Sequence, residues 1–160
     1  AVAGVLRKWG GYAVVDVGYN PAVFDRLREL ERLGKLGGRA VPFNFGGKTD
    51  RRDASGELTF ANLRAAAWWG MRERLDPATG GGRVALPPDD ALTGDLTAPT
   101  HRLLSGGKIL IEAKSEIETR LQRSTDYGDA VAMAFYPLEA GEPAYGEVAE
   151  AVEYSINDGW

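Results

Sequence analysis

The sequence predicts an α/β domain, and three observations carry that prediction. The run Ala13-Val14-Val15-Asp16-Val17 is apolar, rich in β-branched residues and bounded by Gly10-Gly11 and Gly18, as a buried strand is. A helix signal follows at once, from Asn20-Pro21 to Gly34. A second strand pattern, Ala40-Val41-Pro42-Phe43-Asn44-Phe45, comes after the short Gly37-Gly38 connection, the layout of a parallel strand, helix, strand unit. With 160 residues, 44% of them hydrophobic and 26% charged, the chain holds the core of one globular domain.

Each further element has its own local reason. Asn20 can cap free amides, Pro21 suits the first helical position, and Val23, Leu27 and Leu30 repeat at helical spacing. Lys48 to Gly56 is polar and reads as an exposed loop. A helix is expected from about Thr59 to Leu75, with Phe60, Leu63, Ala67, Met71 and Leu75 as its buried stripe. In that helix Trp68 and Trp69 read as packing residues, and since neighbours point about 100° apart, at most one can face the core centre. Arg83 to Leu86 reads as a brief strand stopped by Pro87-Pro88, and Asp89-Asp90 start a short helix, where acids favour the positive amino end. Arg102-Leu103-Leu104, the turn Ser105-Gly106-Gly107 and Lys108-Ile109-Leu110-Ile111-Glu112 form a hairpin pattern. Ser115 with Glu118 reads as a capping box, and a last helix is expected over about Gly128 to Phe135.

Composition excludes several classes of function. No apolar run reaches the roughly 18 residues of a membrane span, and Ala1 to Arg7 lack the pattern of a signal peptide. There is no cysteine and one histidine, His101, so disulfides, thiolate metal sites and multi-histidine zinc are out, and any metal must be held by carboxylates. His101 has no serine or carboxylate at a motif spacing and reads as a surface or packing residue. Gly47-Lys48-Thr49 lacks the earlier glycine of a phosphate loop, and Asp16 to Asn20 lacks the second and third glycines of a dinucleotide fingerprint. Charge divides the chain: residues 1–136 carry 19 bases and 17 acids, whereas 137–160 carry six acids and no base. The chain therefore reads as a domain over 1–136 with an acidic extension over 137–160, which is either a solubilising end or a docking segment. Opening on Ala1 rather than Met, it reads as a piece of a longer protein.

The carboxylates carry the chemical signal. Asp16 ends an apolar strand, where an isolated charge needs a cation or hydrogen bonds, and that edge of an open sheet is where ligands bind. Asp126 and Asp129 stand three apart at a helix start, on one face. Two readings of the pair stand side by side: acids favoured by the helix amino end, or ligands for a hard divalent cation such as Mg2+ or Mn2+ serving phosphodiester hydrolysis. Lys108, Lys114, Arg120 and Arg123 all precede Asp126 closely. They read either as solvated charge or as phosphate contacts, with Lys114 favoured because it ends the strand bearing Ile109 and Ile111.

In order along the chain, Val15-Asp16-Val17-Gly18, Asp25-Arg26-Leu27-Arg28-Glu29-Leu30, Val41-Pro42-Phe43-Asn44-Phe45-Gly46, Asn62-Leu63-Arg64-Ala65, Trp68-Trp69, Gly107-Lys108-Ile109, Glu112-Ala113-Lys114 and Arg123-Ser124-Thr125-Asp126-Tyr127-Gly128-Asp129-Ala130 resemble the nuclease domain of tailed-phage terminase large subunits, over about residues 12 to 136. The resemblance implies an RNase H-like mixed central sheet flanked by helices, which cuts concatemeric double-stranded DNA during packaging with two divalent metal ions. It implies Asp16 and Asp129 as catalytic metal ligands, Asp126 as an auxiliary one, and Lys114 as a basic residue beside the site. The family's first catalytic aspartate lies on an opening strand, and no acid precedes Asp16 here. The opening strands, and the upstream motor domain that uses ATP, are thus expected to be missing, leaving this chain alone inactive. Tyr19-Asn20-Pro21 also departs from the family's glycine-rich turn. The implied partners are double-stranded DNA, the portal protein and the small terminase subunit, in the host cytoplasm and with no membrane. The rival expectations are a noncatalytic DNA-binding or packaging-assembly module and a resolvase-type RNase H-like nuclease.

Overall fold

The computed structural model describes residues 1–79, 81–82 and 84–136. The acidic extension over 137–160 lies outside the described residues. The chain divides into two compact units, one containing Ala1–Pro42 and the other Phe43–Tyr136.

The first unit opens with a helix, α1 (Val2–Trp9), that the sequence reading did not include. α1 is strongly amphipathic, yet only Leu6 of it is buried. Strand β1 (Tyr12–Asp16) and helix α2 (Ala22–Arg32) follow, and β2 (Arg39–Phe43) is the hydrogen-bonded neighbour of β1. Pro21 is the N-cap of α2 rather than its first residue, and the Asn20 side chain, one position earlier, accepts the Ala22 N–H at 2.9 Å. Leu6, Leu27 and Leu36 form the core, with Ala13, Val15, Leu30 and Ala40 packed on it. Two expectations change. β1 is half-buried rather than fully buried, and Val23 is exposed, because α2 turns Phe24 and Leu27 inward. The Gly37-Gly38 pair is sterically required: a Cβ on Gly37 would stand 2.6 Å from the Arg7 Cα, and one on Gly38 would stand 2.5 Å from the Gly11 carbonyl oxygen.

In the second unit β3 (Thr59–Phe60), β4 (His101–Leu104) and β5 (Lys108–Ile111) form a mixed sheet in the order β3-β5-β4. β3 runs parallel to β5, and β4 and β5 make the expected antiparallel hairpin. Helix α3 (Leu63–Leu75) begins four residues later than expected. Asn62 is extended and its side chain accepts the Ala65 N–H at 2.9 Å, which starts the helix there and leaves Thr59 and Phe60 to pair with β5. Upstream, Asp53 closes the polar loop by accepting the Glu57 and Leu58 N–H groups at 3.1 and 2.9 Å. Both tryptophans of α3 are buried, on different sides, while Leu75 is exposed. A 3₁₀ turn at Pro77–Thr79 follows, and Val84 to Leu86 form no strand; Pro87 and Pro88 have no N–H to give a ladder.

Helix α4 (Asp90–Thr97) starts where expected, with the Asp89 side chain accepting the Leu92 N–H at 2.8 Å. Helix α5 (Lys114–Leu121) follows Ala113, which has no capping side chain; in place of a Ser115 and Glu118 box, Glu116 accepts the Ala113 N–H at 3.2 Å. Lys114 is thus the first residue of a helix rather than the end of β5. Helix α6 (Asp126–Ala134) starts early enough to hold both Asp126 and Asp129 in its first turn. It packs closely on α3 and α4 at Gly128, where a Cβ would meet the Trp68 ring at 2.7 Å and the Asp95 Cβ at 2.8 Å.

Two alanine substitutions separate this close packing from ordinary helix propensity. Gly128→Ala is expected to lower unfolding free energy by about 1–3 kcal/mol through overpacking. Gly70→Ala, on α3 with nothing within 4 Å of the new methyl group, is expected to raise it by about 0.5–1 kcal/mol. Urea denaturation of both variants checks the pair.

Candidate functional site

The site is built where the amino ends of α5 and α6 meet α3. Lys114 Nζ lies 2.6 Å from Asp126 Oδ1 and 2.9 Å from Asp129 Oδ2, so the two carboxylates converge on one cation. Asp126 is exposed, whereas the Asp129 side chain is only 10% exposed. The second Asp129 oxygen, Oδ1, accepts the Trp68 indole N–H at 2.9 Å and faces Arg64 Nη2 at 3.8 Å. Arg64 Nη1 donates to the Glu112 carbonyl, and Nη2 is buried with no hydrogen bond of its own. Two carboxylates are therefore matched by two cations and one indole donor.

Hydrogen bonding to Lys114, and then to Ser124, lowers the Asp126 carboxyl below its ordinary value. For Lys114, burial pulls the ammonium down, but the bonds to Asp126 and Asp129 outweigh it and the net direction is up. Burial lowers the Arg64 guanidinium, against the opposing attraction of Asp129 and Glu112. Glu112, just ahead of Lys114, is held below the ordinary glutamate value, first by the Thr100 N–H and also by the Thr100 hydroxyl and Arg120.

The structure thus brings Lys114, Asp126 and Asp129 together. Asp16 ends β1 in the other unit, is exposed, and accepts the Gly18 N–H at 2.9 Å; burial is not the constraint on this carboxylate that its apolar strand implied. Arg120 is committed to Glu112 at 2.7 Å and to the Ala98 carbonyl at 2.8 Å, and Arg123 to the fully buried Asp95. Lys108 stands exposed at the start of β5. His101 is exposed, its ring edge-on to Trp69 at 4.9 Å. Three residues around the site carry no site role by sequence pattern: Arg64, Asp95 and Trp68, the last read as packing alone. Among the described residues no group of three or more histidine, aspartate or glutamate side chains forms a ready cation cage. What is present is two oxygen donors converging on one positive charge, a donor set suited to a hard divalent ion.

The described residues thus form an α/β fold, with small sheets flanked by helices and two acids at one helix start. Among solved structures the chain is similar to the nuclease domain of the large terminase subunit gp2 of bacterial virus Sf6, with a TM-score of 0.56 and 21% identity over 77% of this chain and 64% of that one. A lysine-to-alanine mutant of that domain with manganese matches with a TM-score of 0.57 and 20% identity, over 77% and 64% of the two chains. The same mutant with calcium gives 0.57 and 20%, over 77% and 63%. The chain therefore spans slightly under two thirds of those domains, and at such identity the likeness is one of fold. No protein-family model and no curated protein matches the chain. Among the described residues no helix is long and apolar enough to cross a membrane.

Two predictions follow from the partners of Asp129 and Glu112. Trp68→Phe keeps the ring but removes the indole donor from a buried carboxylate, which is expected to cost about 1–3 kcal/mol in denaturant unfolding. Glu112 has a depressed folded-state pKa, so its contribution to stability is present above its unfolded value and is lost as pH falls through the folded one. The acid limb of the stability profile is expected to be shallower in Glu112→Gln than in the native chain, read as melting temperature against pH from neutrality down through the glutamate range.

Proposed function

We propose that the chain is a divalent-metal-dependent DNA endonuclease unit of a phage terminase large subunit, acting on double-stranded DNA as the genome is packaged. The observation that carries this reading is the convergence of Asp126 and Asp129, from one helical turn, on a single cation position held by Lys114. The fold likeness supports it, as does the manganese or calcium in the related lysine-to-alanine structures. The residues fit a hard cation: Asp129 and Asp126 would hold Mg2+ or Mn2+ through oxygen, and Asp16 is assigned as a further ligand on the resemblance of its strand. A divalent ion held there would activate water and stabilise the leaving oxygen of a phosphodiester.

The chain's own groups have separate tasks. Trp68 and Arg64 hold Asp129 in one orientation through its inner oxygen, leaving Oδ2 outward. Lys114, on a flexible stem and about one third exposed, balances the carboxylates and can turn toward a phosphate oxygen. Lys108, exposed, is assigned to phosphate contact. Arg120 and Arg123 would reach DNA only by leaving Glu112 and Asp95, so their weight falls on the frame of the site. By the same reading the partners are DNA, the portal protein and the small terminase subunit in the host cytoplasm, and ATP belongs to an upstream motor domain.

One observation favours a noncatalytic DNA-binding module instead, namely that Lys114 already neutralises both carboxylates. Supercoiled-plasmid cleavage with Mn2+ separates the two. It is run on this chain and on a version extended upstream, each beside Asp129→Asn and Asp16→Asn. Cutting in at least one native form, reduced to background by both substitutions, is the expected result; DNA binding without cutting in either form selects the noncatalytic module. Lys114→Ala is expected to tighten Mn2+ binding several-fold by calorimetry, since it frees both carboxylates.

A further inference from the structure

Asp95 is fully buried on α4 and is not needed to bind any ligand of the proposed site, yet everything around it leads to α6. Its Oδ2 accepts the Gly128 N–H at 3.1 Å, inside the turn that carries Asp126 and Asp129. Its Oδ1 is paired with Arg123 Nη1. That guanidinium also donates to the Ala91 carbonyl at 3.2 Å and the Ser124 carbonyl at 3.1 Å, tying α4 to the segment that enters α6. Glycines stand on both sides of this junction. A Cβ on Gly94 would come within 2.8 Å of Arg123 Nη2, and one on Gly128 within 2.8 Å of the Asp95 Cβ. Gln122, the positive-φ non-glycine residue among those described, ends α5 at φ 55° and turns the chain into Arg123. A left-handed glutamine and two glycines are local concessions that keep one charge pair in place.

We propose that Asp95, locked by Arg123, is a positioning residue that sets the first turn of α6 against α3 and thereby fixes where Asp129 and Asp126 present their oxygens. The proposal rests on the reading of that turn as the nuclease site, and it assigns Arg123 to alignment instead of phosphate contact. A buried carboxylate serves this purpose because the guanidinium fixes one oxygen while the other accepts the Gly128 N–H, so a displacement of α6 breaks a charge-assisted bond to an anchored group.

The test uses the whole chain carrying Asp95→Asn, which keeps the shape and an oxygen acceptor but removes the charge. Arg123→Lys keeps the charge but loses the fork, and Asp89→Ala serves as a destabilised control that removes the α4 cap without touching the junction. The first readout needs no metal: the NMR resonance and hydrogen exchange of the Trp68 indole N–H, which reports its bond to Asp129. The second is Mn2+ affinity by calorimetry. In folded Asp95→Asn the indole signal is expected to shift and exchange at least tenfold faster, with Mn2+ affinity falling about tenfold, as for the loss of an orienting partner. Arg123→Lys should lie between native and Asp95→Asn, and Asp89→Ala should keep the native signal. An unchanged Trp68 signal in folded Asp95→Asn, or the same change in Asp89→Ala, overturns the positioning role. Should Asp95→Asn fail to fold, Arg123→Lys decides by the same signal. If the native chain binds no Mn2+ while the indole results come out as expected, the metal-site reading fails and the alignment of α6 by Asp95 stands.

Discussion

The buried carboxylate of Asp129 is the constraint on which the second unit is organised. A charge with so little exposure is tolerable only when its oxygens meet donors and opposite charge, and here the donors come from two other helices: Trp68 and Arg64 from α3, and Lys114 from α5. Removing a charged partner of a fully buried group commonly costs about 3–5 kcal/mol, whereas an exposed pair such as Arg26 with Glu29 is worth about 0–1 kcal/mol. The sheet and helices can therefore vary at their surfaces more freely than they can shift relative to one another at this point. Gly128 shows the same demand in steric form, because α6 can reach Trp68 only without a side chain there.

What could be read in the sequence was what neighbouring residues decide. Asn20-Pro21, Asp89-Asp90 and the Gly106-Gly107 turn announce their elements within a few positions, and all three appear in the structure. The α3 boundary was missed because Phe60, Leu63, Ala67 and Met71 continue a helical spacing through Asn62, while the fate of Phe60 is settled by β5, distant in sequence. Val84 to Leu86 have strand composition but pair with no strand among the described residues. The first helix is short, holds Gly4 in its middle and buries one leucine, so its amphipathic pattern spans barely two turns.

The site divides along the same line. Asp126 and Asp129 share a helix face by spacing alone, and Lys114 is near enough in sequence to be suspected. Trp68 lies 61 positions from Asp129, and Asp95 lies 33 from Gly128, so neither contact has a local signature. The tryptophans pack as their spacing suggests, on different sides of the helix, but spacing does not show what each side holds. Trp68 turns to Asp129, and Trp69 donates to Glu73 at 3.0 Å.

Unequal exposure gives the two carboxylates of α6 unequal parts. Asp129 is oriented by groups that cannot leave without stranding it, so its position persists whatever cation stands beside it. Asp126 faces water, and its bond to Lys114 is held by an attraction that solvent screens. An ammonium with a long stem can leave the exposed Asp126 at modest cost, but leaving Asp129 strands a buried oxygen unless another cation takes its place; a guanidinium such as that of Arg64, buried and tied to the Glu112 carbonyl, stays fixed. The arrangement thus has one fixed cation, one replaceable cation and one fixed carboxylate. In the proposed metal site, that combination would keep the shape fixed while exchange is confined to the side that water can reach.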